Sequence, residues 1–74
     1  MSREEAEKLL FDAMNHKDRL ELETSLECYQ SSLKIWMELY KLAVDGSREK
    51  KEYLDILENN MKEVSIIYSH ICLL

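Results

Sequence analysis

Histidines, cysteines and clustered carboxylates are the side chains in this sequence that could act as metal ligands, nucleophiles or acid–base pairs. His70 and Cys72 are the closest pair of ligand types, but a spacing of two residues directs their side chains to different faces of a helix. His16 and Cys28 lie far from this pair, and the four residues do not form a zinc-ligand pattern of paired cysteines and histidines. The sequence therefore predicts no metal site.

Three further kinds of functional site are also disfavoured. A phosphate-binding loop needs several glycines, and Gly46 is the one glycine in the chain. The preceding Asp45 is better explained by the end of a helix than by calcium binding. The 15 acidic residues scatter over positions that face solvent in a helical reading, so they do not form a catalytic carboxylate pair. We expect a protein that is not an enzyme and binds no cofactor.

Length and charge restrict the class of partner. A chain of 74 residues buries roughly 60% of its unfolded surface, which leaves little interior for a catalytic cleft. Its 10 basic and 15 acidic residues give a net charge of −5, which disfavours nucleic acid and anionic membrane surfaces and suits a basic or mixed-charge protein partner. No apolar run approaches the ~20 residues of a membrane span, so we expect no membrane insertion. Two cysteines predict a reduced, cytoplasmic setting without a disulfide framework.

Helix start and stop signals divide the chain into three helices. Ser2 and Glu5 have the spacing of a capping box, and Gly46 followed by Ser47 ends one helix and caps the next. The apolar stripe is interrupted before Leu22, which predicts a tight turn near residues 19–21. The predicted helices cover residues 3–17, 22–43 and 48–71 of a single domain, residues 1–74, which we expect to be part of a larger protein.

Apolar residues recur at steps of three and four in each helix, as expected for packed helices. The stripes are Ala6, Leu9, Leu10, Ala13 and Met14; then Leu26, Tyr29, Leu33, Trp36 and Tyr40; then Leu54, Leu57, Met61, Val64, Tyr68 and Ile71. Three helices with short connections predict an all-α fold, an antiparallel up-down-up three-helix bundle. Ile35, Leu39 and Leu42 form a second stripe on the middle helix. Either this helix contacts two neighbours, or part of its surface is covered by a partner.

The first two helices resemble the MIT domain, the microtubule-interacting and trafficking module. Ala6, Leu9, Leu10 and Ala13 match the apolar pattern of the family's first helix, and Leu26 and Tyr29 match its second. Ser25 replaces the alanine that usually precedes the leucine. In the third helix Met61, Lys62, Glu63, Val64 and Ser65 stand where many members have Leu-Asp-Arg-Ala-Glu.

The resemblance implies a non-catalytic interaction module that binds a short helical or extended motif, such as an ESCRT-III-type tail. The motif would lie between helices two and three, or in the groove between helices one and three. Such a module brings its parent protein to endosomal sorting, protein transport or other membrane-remodelling machinery, so we expect it to be cytoplasmic and peripheral to membranes. The alternative is a structural domain that pairs stably with another MIT-like bundle, as a homodimer or heterodimer, as in autophagy-initiating kinase complexes.

The predicted partner-binding groove lies between helices two and three. Met37 and Met61 either line an adaptable groove or fill gaps in the core, because unbranched thioethers suit both roles. Ser65 stands where the family has an acid that pairs with an arginine of the motif, which favours a more apolar partner or another helical domain. The predicted groove residues are Leu33, Met37, Tyr40, Leu57, Met61, Val64, Ser65 and Tyr68.

Overall fold

The computed structural model describes residues 2–72 and contains three α-helices. They are α1 (Arg3–Asp18), α2 (Leu22–Leu42) and α3 (Arg48–Cys72). The helices account for 87% of the described residues, and none of residues 2–72 forms a strand. The predicted all-α three-helix bundle is therefore confirmed, and the observed helix ends differ from the predicted ones by at most one residue. Leu73 and Leu74, which belong to the apolar ending of the sequence, lie outside the described residues.

Serine hydroxyls begin two of the helices. The Ser2 hydroxyl accepts a hydrogen bond from the backbone N–H of Glu5 at 3.2 Å, and the Ser47 hydroxyl accepts one from the N–H of Lys50 at 3.2 Å. Each bond satisfies a backbone donor that has no partner within the first helical turn. Both predicted N-caps are thus present.

The turn between α1 and α2 ends a helix without glycine. The N–H of Glu21 donates to the carbonyl of His16 at 2.9 Å, and the N–H of Leu20 donates to the carbonyl of Lys17 at 3.0 Å. This pair of bonds defines a Schellman motif, in which the first residue after the C-cap adopts a left-handed backbone conformation. Leu20 occupies that position with φ of 64°, whereas the α2–α3 connection uses Gly46 with φ of 80°.

Small residues bring α1 and α2 into close contact along a seam made of Ala6, Ala13, Ser25 and Ser32, all with 0% exposure. The Ser32 hydroxyl donates to the carbonyl of Ala6 at 2.8 Å, and the Ser25 hydroxyl donates to the carbonyl of Ala13 at 2.7 Å. A side-chain hydroxyl reaches the backbone of a neighbouring helix only where the two helices approach closely. We call these four residues the small-residue seam.

Larger side chains hold α3 against the rest of the bundle. Trp36 is 1% exposed, and its ring centroid lies 5.8 Å from that of Tyr53. Leu57 packs in the same cluster, while Tyr29 and Ile67 form a second cluster with Ala13 near the other end of the bundle. The core therefore lies along α2, which contacts both of the other helices.

Helices α1 and α3 meet through side chains alone. Across residues 3–18 and 48–72, their Cα atoms stay more than 8 Å apart. Arg3 of α1 pairs with Glu52 of α3 at 3.7 Å, and Lys17 of α1 donates a hydrogen bond to Glu63 of α3. Met14, predicted to be part of the core stripe, is 56% exposed because the separation of α1 and α3 leaves it at the edge of the bundle.

Candidate partner-binding groove

The largest run of exposed apolar side chains that matches the predicted groove follows α2 and α3. Leu54, Met61 and Tyr68 are spaced seven residues apart, which places them on one face of α3. They are 39%, 57% and 48% exposed, and Met37 of α2 is 46% exposed. We use the name α2/α3 groove for the surface formed by these four residues together with the half-buried Leu33, Tyr40 and Val64.

The structure assigns different roles to the residues predicted for this groove. Leu33 and Tyr40 are half-buried against the cluster around Trp36, and Val64 is half-buried against the cluster around Tyr29. Leu57 is 6% exposed and lies within the core, so it supports the groove from below. Ser65, Met37, Met61 and Tyr68 are exposed.

Leu54 is a groove residue that the sequence-based selection did not include. Its heptad spacing with Met61 and Tyr68 was the available signal, but Leu54 and Leu57 belong to the same apolar seam. The exposure of the two methionines argues against one of their two predicted roles. Met37 and Met61 are too exposed to be filling gaps in the core, and flexible thioethers at a surface can adapt to different side chains of a ligand.

Basic residues surround the end of the α2/α3 groove near the α2–α3 connection. A surface depression there is lined by Tyr40, Leu54, Arg48, Lys50 and Lys51, together with the backbone of residues 46–47. The Lys50 ammonium lies 4.8 Å from the centroid of the Tyr40 ring, within the range of a cation–π interaction.

Asp45 holds Lys50 in this position. Its carboxylate accepts a hydrogen bond from the Lys50 ammonium at 2.5 Å. This hydrogen bond lowers the pKa of Asp45 and raises the pKa of Lys50. Because the Asp45 side chain is 95% exposed, the pair is screened by solvent and contributes little to stability.

The second surface predicted by the family resemblance, between α1 and α3, is crossed by an ion pair. It includes a depression lined by Met14, Tyr29, Asn60 and the Lys17–Glu63 pair. The hydrogen bond that the Lys17 ammonium donates to Glu63 raises the pKa of Lys17, and burial raises the pKa of Tyr29. Because an ion pair crosses this surface, an apolar helix would have to displace it, which makes the α2/α3 groove the better candidate.

The residues considered for chemistry stay apart in the structure. Within residues 2–72, no group of three or more His, Cys, Asp or Glu side chains is arranged to hold a metal ion. Cys28 is half-buried and Cys72 is exposed, and both are free thiols. Burial raises the pKa of the Cys28 thiol, which reduces its reactivity. None of the described helices combines the length and apolarity needed to cross a membrane.

Comparisons with known proteins identify no relative of this chain. No protein-family model matches it, and neither a curated protein nor a solved structure is significantly similar. The MIT resemblance therefore stays a prediction.

Proposed function

We propose that this domain is a non-catalytic, MIT-like interaction module whose α2/α3 groove binds a short helical motif from another protein. The observation that carries the proposal is the row of exposed apolar side chains on α2 and α3. A monomer of this size gains nothing from leaving Met37, Leu54, Met61 and Tyr68 in water, and contiguous apolar surface often marks a binding site.

The spacing of these residues suits a helical ligand. Their positions along α3 repeat every seven residues, and an amphipathic helix presents its apolar side chains with the same period. Burial of three or four leucine-sized anchors, less the cost of ordering the ligand, gives about −7 kcal/mol, or a Kd of about 10 µM. Weak affinity of this kind suits reversible recruitment, and it would be strengthened by avidity in an oligomeric parent protein.

The proposed biological role follows from the MIT resemblance. The motif would be an ESCRT-III-type tail or a related helix, and the module would bring its parent protein to endosomal or other membrane-remodelling machinery. In this role the domain acts in the cytoplasm, peripheral to membranes and held there through its partner. Any chemistry belongs to the parent protein.

Substitution of Met61 tests the groove directly. Met61→Asp places a charge at its centre, and we expect calorimetric titration with helical ESCRT-III tail peptides to lose detectable binding. The matched control is Phe11→Asp, since Phe11 is 65% exposed on α1, outside the groove. The control should retain wild-type affinity, and both variants should retain their helical circular dichroism. Unchanged affinity for Met61→Asp would show that the groove is not the binding site.

Ser65 provides a test of motif choice. Ser65→Glu restores an acid where the family pairs with an arginine of the motif. We expect this variant to gain affinity for an arginine-containing peptide and not for the same peptide with alanine in place of arginine. An equal response to the two peptides would contradict the assigned role of position 65.

A second function, stable pairing with another helical bundle, is favoured by a separate observation. Phe11 and Met14 are 65% and 56% exposed on α1, outside the α2/α3 groove. Pairing through this surface predicts a dimer at micromolar concentration that Phe11→Asp converts to a monomer. Sedimentation equilibrium distinguishes the two functions, because peptide capture predicts that both wild type and variant are monomers.

A further inference from the structure

The basic end of the α2/α3 groove contrasts with the charge of the whole protein. The chain has a net charge of −5, yet the depression at this end of the groove is lined by three basic residues and, among residues 2–72, by no acidic one. The three are Arg48, Lys50 and Lys51, and Lys34 and Lys41 lie on the adjoining part of α2. The stretch from residue 34 to residue 55 carries five basic and five acidic residues, so the positive charge is confined to the lining of the depression.

The spacing of these cations places them beside groove residues. Lys34 and Lys41 are three and four residues from Met37, so all three share one face of α2. Lys51 is three residues from Leu54, and both line the same depression. A helix lying in the α2/α3 groove would therefore have cations along both sides of one of its ends.

Few of these charges are neutralised within the protein. Lys50 is paired with Asp45, and Lys41 approaches Glu38 at 4.0 Å. Lys34, Arg48 and Lys51 have no carboxylate within 4 Å among residues 2–72. At the opposite end of α2, Glu21 and Glu23 flank a depression with Leu22 and Ile71.

We infer that the ligand of the α2/α3 groove is an amphipathic helix with acidic residues at the end that lies over the α2–α3 connection. The inference rests on the proposed function and adds the charge of the partner to it. In this chain, lysines and an arginine at the end of the groove form ion pairs with carboxylates of the ligand. Ser65 is uncharged and cannot form an ion pair with an arginine. A second copy of this acidic chain is a poor occupant, because two net charges of −5 repel each other.

Designed peptides of defined charge test this inference. The probes are four alanine-rich helices with the same leucine face. Two of them carry a block of glutamates, one at the N-terminal end and one at the C-terminal end. The third has lysines in place of the glutamates, and the fourth has glutamines as a neutral reference. Affinity is measured by fluorescence anisotropy at low and high salt. We expect one acidic-ended peptide to bind roughly tenfold more tightly than the neutral one, from two or three exposed charge pairs, and this advantage to disappear in high salt.

Charge-reversal variants locate the effect. The Lys34→Glu, Lys51→Glu double variant should abolish the advantage of the acidic-ended peptide, while binding of the neutral peptide persists. The matched control is the Lys8→Glu, Lys62→Glu double variant, which makes the same change in net charge at exposed positions away from the α2–α3 connection. An equal loss in both double variants would show a general field effect and overturn the inference.

The peptide experiment separates failure of the inference from failure of the proposed function. If neutral, acidic and basic peptides all bind equally and Met61→Asp removes binding, the groove is functional and the charge inference is wrong. If none of the peptides binds, or if Met61→Asp has no effect, the proposed function is wrong and the inference falls with it.

Discussion

Replacement of Leu20 by glycine should stabilise this protein, although it removes an apolar side chain. Leu20 has φ of 64°, and a left-handed backbone costs an L-residue with a side chain roughly 1–2 kcal/mol. Glycine avoids that cost but loses about 0.4–1 kcal/mol through the greater freedom of the unfolded chain. The side chain is 80% exposed, so its remaining contacts are worth only about 0.4 kcal/mol.

These magnitudes predict a specific order of stability. The free energy of unfolding of Leu20→Gly should exceed that of wild type by about 0.4 kcal/mol. This figure is the relief of backbone strain less two losses, from the freer unfolded chain and from the missing side-chain contacts. Leu20→Ala keeps the backbone strain and loses the contacts, so it should fall about 0.4 kcal/mol below wild type. The two variants should differ in Tm by roughly 5 °C in a domain of this size.

Urea unfolding followed by circular dichroism measures these free energies, and Arg19→Gly supplies a control. Arg19 has φ of −88°, so glycine at that position relieves no strain. We expect it to destabilise the protein by about 0.5–1 kcal/mol. The reasoning is refuted if Leu20→Ala is as stable as Leu20→Gly, since the left-handed backbone would then carry no cost.

Three further predictions concern the interior and the thiols. Ser32→Ala should lower the free energy of unfolding by about 0.5–1 kcal/mol because it removes one hydrogen bond. Ser32→Val should lower it by about 2–3 kcal/mol because the larger side chain forces α1 and α2 apart. Equal losses in urea unfolding would contradict the close approach at the small-residue seam. Burial raises the pKa of Tyr29, so the free energy of unfolding should fall as the pH rises above the ordinary tyrosine value of about 10. Tyr29→Phe should make this decline shallower, and an identical pH profile would argue against the burial. Iodoacetamide should alkylate the exposed Cys72 before Cys28, whose pKa is raised, and mass spectrometry showing the reverse order would contradict the assigned exposures.

The helices could be predicted because their signals are local. Gly46 and Ser47 mark one connection, and the interruption of the apolar stripe marks the other even without glycine. The left-handed conformation of Leu20 was not predictable in the same way. It depends on closing α1 with a Schellman motif, and no property of a leucine side chain favours that backbone.

The roles of individual apolar residues depend on the rotation of each helix, which periodicity leaves open. Leu54 and Leu57 belong to one seam and are three residues apart, yet Leu57 is in the core and Leu54 lies on the groove. Ser25 and Ser32 likewise occur at a spacing that predicts a shared face, but their bonds to α1 carbonyls depend on the distance between two helices. For these reasons the sequence indicated the surface that forms the groove better than the residues that are accessible within it.

The three helices are unequally spaced, and we expect this to make the α1–α2 pair stiffer than the contacts of α3. Along the small-residue seam, α1 and α2 are joined by two hydrogen bonds from serine hydroxyls and have no bulky side chains between them. Sliding or tilting of these two helices would break those contacts. Helix α3 is held against α2 by larger side chains and against α1 by solvent-exposed ion pairs. These contacts tolerate small rotations of α3. We expect α3 to move more than the other two helices. A larger ligand would then be accommodated by tilting of α3 while α1 and α2 stay in place.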